Sequence, residues 1–126
     1  MRAIIVEDSR AMRKILAGIL QELKFEVYEA GDGVAALELL RELGCPDLAM
    51  VDWNMPHMNG YDFARLIRTQ VAYDEMKIMM VTTECDVDQV EAALRAGVDE
   101  YVMKPFTSEV IAEKLQLLGV AGGAKR

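Results

Sequence analysis

Five side chains able to handle a phosphoryl group stand just after four separate apolar runs: Glu7 and Asp8, Asp52, Thr82 and Lys104. If those four run ends share one rim, the three carboxylates repel one another by about 1 kcal/mol per pair in water, and by several times that where partly buried. Positive charge must offset them. Lys104 supplies one such charge, and a divalent ion is the natural second. Oxygen-only ligands of this kind suit Mg2+ better than zinc. In such a site Asp52, already ionised at neutral pH, would attack phosphorus to give an acyl phosphate, and no general base is needed. The Thr82 hydroxyl and the Lys104 ammonium would hold the other phosphoryl oxygens. Taken singly, each residue also has a plainer reading, and Asp8 alone would serve equally well as a helix cap. The coincidence at four run ends is what favours the chemistry.

The elements that must position these groups are legible from their apolar patterns. Leu48–Asp52 (LAMVD) is a run of the kind buried on both faces of a parallel strand, and it fails abruptly at the carboxylate before the turn formers Asn54, Pro56, Asn59 and Gly60. Ala3–Val6, Phe25–Ala30, Ile78–Val81 and Glu100–Met103 supply four more strands, the second of them weaker. Helical spacing runs from Met12 through Leu23, with Ser9 or Asp8 as cap, and from Asp32 and Gly33 to Leu43, closed by Gly44 and Pro46. A third helix carries Phe63, Leu66 and Ile67 and ends near Gln70. A fourth, capped by Asp86, runs through Leu94 to Gly97, and a fifth follows Thr107 or Ser108 with Ile111, Leu115 and Leu118. Strands joined through single helices must be parallel, with right-handed crossovers. The expected fold is therefore α/β, a doubly wound five-stranded parallel sheet of order 2-1-3-4-5, flavodoxin-like, in a three-layer sandwich. Its switch point lies at the carboxyl ends of the first and third strands.

Length and composition bound the function. A chain of 126 residues with 52% apolar residues is one globular domain, read as 1–118, with 119–126 as a frayed tail. A net charge of -7 without a basic stripe argues against nucleic acid and anionic membrane as direct partners. No segment has the length of a bilayer span or a signal peptide, and the expected location is the cytoplasm. Cys45 and Cys85 are far apart and outside any metal-ligand spacing, so they are read as free thiols, and His57 is a solvated loop residue without a role.

Glu7-Asp8, Asp52-Trp53-Asn54-Met55-Pro56 with Met58 and Gly60, Thr82, and Tyr101 with Lys104-Pro105-Phe106 together resemble the receiver domain of bacterial response regulators. The likeness covers Ala3 to Leu118 and is greatest for the stand-alone chemotaxis receivers. It implies that Asp52 accepts a phosphoryl group from the phosphohistidine of a sensor histidine kinase. It further implies Mg2+ held by Asp8, Asp52 and the Asn54 backbone carbonyl, with Glu7 acting through a water. Thr82 and Tyr101 would be the coupled switch pair, Lys104 would hold the phosphoryl group, and Lys104–Pro105 would be cis. Asn54 and Glu84 would tune the loss of the phosphoryl group.

The implied output is a target protein on the surface of the fourth helix, fifth strand and fifth helix, where Val87, Val90, Tyr101 and Lys114 are candidate contacts. For Val90, plain core packing fits equally well. A flagellar motor switch is one candidate target and a phosphatase a further partner. Val87 and Leu117 stand where the enteric chemotaxis receiver carries lysines, so the target itself stays open. The protein is thus expected to be a regulator that catalyses only its own phosphorylation and dephosphorylation. Within the receiver class the alternatives are a single-domain phosphorelay intermediate or a receiver fragment of a larger response regulator. Flavodoxin would need a Ser/Thr/Gly-rich phosphate loop after the first strand, where Glu7-Asp8 stands, and an aspartate-based phosphatase would want a general acid where Asn54 stands.

Overall fold

The computed structural model describes residues 1–83 and 87–120. Its elements follow in the order β1 (Arg2–Val6), α1 (Arg10–Glu22), β2 (Glu26–Ala30), α2 (Gly33–Leu43), β3 (Leu48–Asp52), α3 (Gly60–Arg68), a short 3-10 turn (Val71–Tyr73), β4 (Lys77–Thr82), α4 (Val87–Arg95), β5 (Glu100–Met103) and α5 (Ser108–Leu118). All neighbouring strands pair in parallel, in the order β2-β1-β3-β4-β5, as the alternation of strands and helices requires.

Alternate residues of each strand feed two cores, because side chains point to opposite faces with period two. Ile4, Val6, Ala49, Val51, Ile78 and Met80 meet α2, α3 and α4 through Ala36, Leu40, Phe63, Ile67 and Ala93. Ala3, Ile5, Leu48, Met50, Met79 and Val81 meet α1 and α5 through Leu16, Leu20, Ile111 and Leu115. Every residue of β3 is buried, so its run reads as continuous rather than alternating. β2 is an edge strand with Glu26 and Glu29 exposed, which is why its apolar pattern is weaker.

Polar caps start four of the helices. Ser9, Asp32, Asn59 and Thr107 each accept a hydrogen bond from the backbone N–H three residues on, in α1, α2, α3 and α5. Ser9 is thus the cap of α1, which leaves Asp8 for other work. Asp86, expected to cap α4, lies outside the described residues, as do Glu84 and Cys85. The third helix ends at Arg68 rather than near Gln70, and the 3-10 turn that follows buries Tyr73. At the other end of α5, Gly119 adopts a left-handed conformation and ends the helix. Val120 is buried against the α1/α5 core, so the first two residues of the expected tail help to close the helix.

One arginine ties down the amino-terminal end of the sheet. Arg68, the last residue of α3, donates to the carbonyls of Gly97, Tyr73 and Met76 and to Asp99 Oδ2 at 2.7–2.9 Å. Asp99 Oδ2 also accepts the Ile78 N–H, so one ion pair joins α3, β4 and the turn between α4 and β5. Gly97 sits at φ +106°, and a Cβ there would fall 2.5 Å from Arg68 Cγ.

Candidate functional site

The carboxyl ends of β1, β3 and β5 bring Glu7, Asp8, Asp52 and Lys104 into one pocket. One carboxylate oxygen from each of Glu7, Asp8 and Asp52 lies within 4.8 Å of the others. The Lys104 ammonium stands between Glu7 Oε1 at 3.4 Å and Asp52 Oδ1 at 3.3 Å. Glu7 and Asp52 are almost wholly buried, and Asp8 is exposed at the mouth.

Local backbone chemistry holds each group. The Ser9 N–H donates to Glu7 Oε2 at 3.0 Å, and Arg13 Nη1 donates to the Glu7 carbonyl at 2.9 Å, so the turn into α1 fixes that residue from both sides. Strand pairing sets Asp52 opposite Val81 and Thr82 opposite Met103. The Lys104 N–H donates to the Thr82 carbonyl at 2.8 Å, which carries the β4–β5 register one residue past the strand. Lys104–Pro105 is cis, as the resemblance implied. After Asp52 the chain doubles back on Gly60, whose N–H donates to the Trp53 carbonyl at 2.8 Å. A Cβ at Gly60 would stand 2.3 Å from the Asp52 carbonyl oxygen, so only glycine permits that approach.

The electrostatics ask for more positive charge than the protein supplies. Burial raises the Asp52 carboxyl above the ordinary carboxylate range, although Lys104 acts to lower it. Burial raises Glu7 in the same direction, with the Asp52 charge adding to the effect and the Ser9 N–H and Lys104 opposing it. Three carboxylates face one ammonium, and all the donors are hard oxygens, a set that fits a small divalent cation such as Mg2+. The residues present therefore suit the ion expected from the sequence.

The remaining expected site residues fall around this pocket. Thr82 is buried at the end of β4 and lines a small apolar cavity together with Trp53, Gln89, Val90 and Tyr101. Tyr101 is half-buried, beside that cavity rather than among the acids. Asn54 follows in the β3–α3 loop, where its backbone N–H lowers the Asp52 carboxyl against the effect of burial. Glu84 is outside the described residues. Sequence spacing did not single out Arg13, Ser9 or Gly60 as supports of the acids; Ser9 is legible there only as a helix cap and Gly60 only as a turn former after the aspartate.

Residues 3–116 match the response regulator receiver domain. The chain belongs to that family. Among its relatives, the receiver is 42% identical over 125 residues to a chemotaxis protein CheY homolog of Campylobacter jejuni, covering 98% of this chain and 96% of that one. Among solved structures it superimposes on chemotaxis protein CheY4 of Vibrio cholerae with a TM-score of 0.86 at 31% identity, covering 92% of this chain and 96% of that one. It also resembles the receiver domain of sensor histidine kinase PA1611 from Pseudomonas aeruginosa, with a TM-score of 0.82 at 26% identity, covering 92% of this chain and 94% of that one. That structure has a magnesium ion coordinated in its active-site cleft. Receivers are regulators rather than classical enzymes, and this one is homologous to CheY over nearly its whole length.

Proposed function

We propose that the protein is a phosphorylation-controlled regulator of chemotaxis in which Asp52 is the phosphoacceptor. The observation that carries this reading is the buried Asp52 carboxylate, 3.3 Å from the Lys104 ammonium and crowded by Glu7 and Asp8 at the switch point of the sheet. An Asp52 oxygen attacks the phosphorus of a phosphohistidine on a sensor kinase, the P–N bond breaks, and the departing imidazole nitrogen keeps the electron pair and takes up a proton. Lys104, which neutralises Asp52 and Glu7 in the resting site, moves its interaction onto a phosphoryl oxygen as negative charge arrives. The Thr82 hydroxyl holds another. Asp8, Asp52, the Asn54 carbonyl and, through a water, Glu7 would hold Mg2+, which supplies charge neutralisation at the phosphoryl oxygens. Hydrolysis by water later breaks the acyl phosphate P–O bond, at a rate that Asn54 and Glu84 would tune.

The output face in this reading is α4, β5 and α5. Val87 of α4 and Leu117 of α5 are largely exposed there, at 70% and 80%, and Met103 of β5 and Val110 of α5 are exposed to a lesser degree. An apolar face suits a protein partner, and the relatives named for chemotaxis favour a flagellar motor switch, with a phosphatase to end the signal. Among the described residues no helix is long and apolar enough to cross a membrane. In this reading the kinase presents its phosphohistidine in the cytoplasm, and the reaction takes place there.

Incubation with acetyl phosphate and Mg2+, followed by intact-mass analysis, tests the assignment. One phosphoryl group per chain is expected, absent in Asp52→Ala and absent when Mg2+ is chelated. Normal labelling of Asp52→Ala would overturn it, and turnover of many phosphoesters would indicate an enzyme instead.

A further inference from the structure

Tyr101 stands at the edge of the sheet between two sets of polar groups that its assignment as a switch does not explain. On the outer side, Lys114 of α5 reaches the edge strand and places its ammonium 5.5 Å from the centre of the Tyr101 ring. The same ammonium is 3.3 Å from Glu100 Oε1, and that oxygen also accepts the Tyr101 N–H at 2.9 Å. The Lys114 and Glu100 side chains are only 27% and 24% exposed, so the pair is better shielded from solvent than an ordinary surface ion pair. One carboxylate thus fixes both the backbone that carries the ring and the cation that faces it.

On the inner side, Gln89 of α4 lines the cavity shared by Thr82 and Tyr101, and its side-chain Oε1 is buried without a hydrogen-bond partner among the described residues. A buried carbonyl oxygen left unpaired is costly, and native structures rarely leave one so without reason. The cavity itself is about 10 Å3, room for about one water and far too small for a phenol ring until Thr82 or α4 gives way.

Accepting Tyr101 as the switch residue, we propose that it has two seats built by this chain's own groups. The outer seat is the Lys114 ammonium steadied by Glu100, and the inner seat is the Gln89 amide oxygen, which accepts a hydrogen bond from the Tyr101 hydroxyl. Glu100, Lys114 and Gln89 are then positioning residues that set the balance between the two ring positions, and phosphorylation tips that balance by opening the cavity. Weakening the outer seat favours the inner one even without a phosphoryl group.

Tyrosine ring resonances of 13C-labelled protein, with Tyr101 assigned from Tyr101→Phe, report the ring position with and without beryllofluoride and Mg2+. Lys114→Met and Glu100→Gln are each expected to move the free-state Tyr101 signal toward its beryllofluoride position, with the inner population rising roughly threefold, the scale of a lost cation–π contact or ion pair. Gln89→Leu is expected to keep the free-state signal and to lose part of the beryllofluoride shift. Free-state signals unchanged in both outer-seat variants, or a full shift in Gln89→Leu, would overturn the two-seat assignment. So would wild-type protein that accepts the phosphoryl group on Asp52 while its Tyr101 signal stays put, although that outcome leaves the phosphoacceptor assignment standing. Wild-type protein that accepts no phosphoryl group overturns both.

Discussion

Asp52 is a liability to the metal-free fold as well as its proposed phosphoacceptor. Its carboxyl and that of Glu7 are raised above the ordinary carboxylate range near about 4. A carboxylate raised by folding contributes stability that is present below its unfolded pKa and lost as pH rises through the folded value. Without divalent ions, the protein should therefore lose stability at this site as pH climbs from about 4 toward neutrality. Asp52→Asn removes that loss and leaves Lys104 paired to Glu7 at 3.4 Å, so no cation is orphaned. We expect Asp52→Asn to be more stable than wild type at pH 7 by on the order of 1 kcal/mol, a few degrees in Tm, with the difference shrinking toward pH 4. Mg2+ should close the gap by raising the wild-type Tm more than that of the variant. Thermal melts across pH with EDTA or Mg2+ check this, and a variant less stable than wild type at pH 7 without metal would contradict it.

At the scale of the elements, the strands were easy to read because β1, β3 and β4 are buried on both faces and so run apolar without interruption. The acids were legible for the same reason, since each stands where such a run stops, whereas Lys104 follows the half-buried edge strand β5 and was marked by the polar turn after it. What spacing could not reveal were pairings between elements: Lys114 on Glu100, the Gln89 oxygen in its cavity, and the 3-10 turn that buries Tyr73 after an otherwise polar stretch. Two glycines illustrate the difference between local and tertiary constraint. Gly18 is exposed within α1, and a methyl added there would meet nothing within 4 Å, whereas one added at Gly60 would be driven into the Asp52 backbone. Gly18→Ala is expected to stabilise by about 0.5–1 kcal/mol through helix propensity and the restricted unfolded chain. Gly60→Ala is expected to cost about 1–3 kcal/mol and to slow labelling of Asp52, because relief of the clash must shift the strand end. Chemical denaturation and labelling rates measure both.

Across the whole molecule the two ends of the sheet are built to different rules. The carboxyl rim gathers like charges from distant segments, while the amino rim is closed by Arg68, which joins α3, β4 and the α4–β5 turn through four acceptors. Helix α4 thus has its trailing end fastened and its leading end toward the carboxyl rim, where Gln89 lines a cavity with Thr82. Hydrogen exchange should show this directly: on adding beryllofluoride and Mg2+, amides near Val87 to Val90 should change protection several-fold more than those of Val98 and Asp99, and Arg68→Met should erase the contrast. Uniform change along α4 in the wild type would rule it out. With its far end pinned, the helix is expected to move as a lever about that guanidinium when the phosphoryl group arrives. A displacement too small to matter at the pivot would grow along the nine residues of Val87–Arg95 toward the leading end, where Val87 meets solvent.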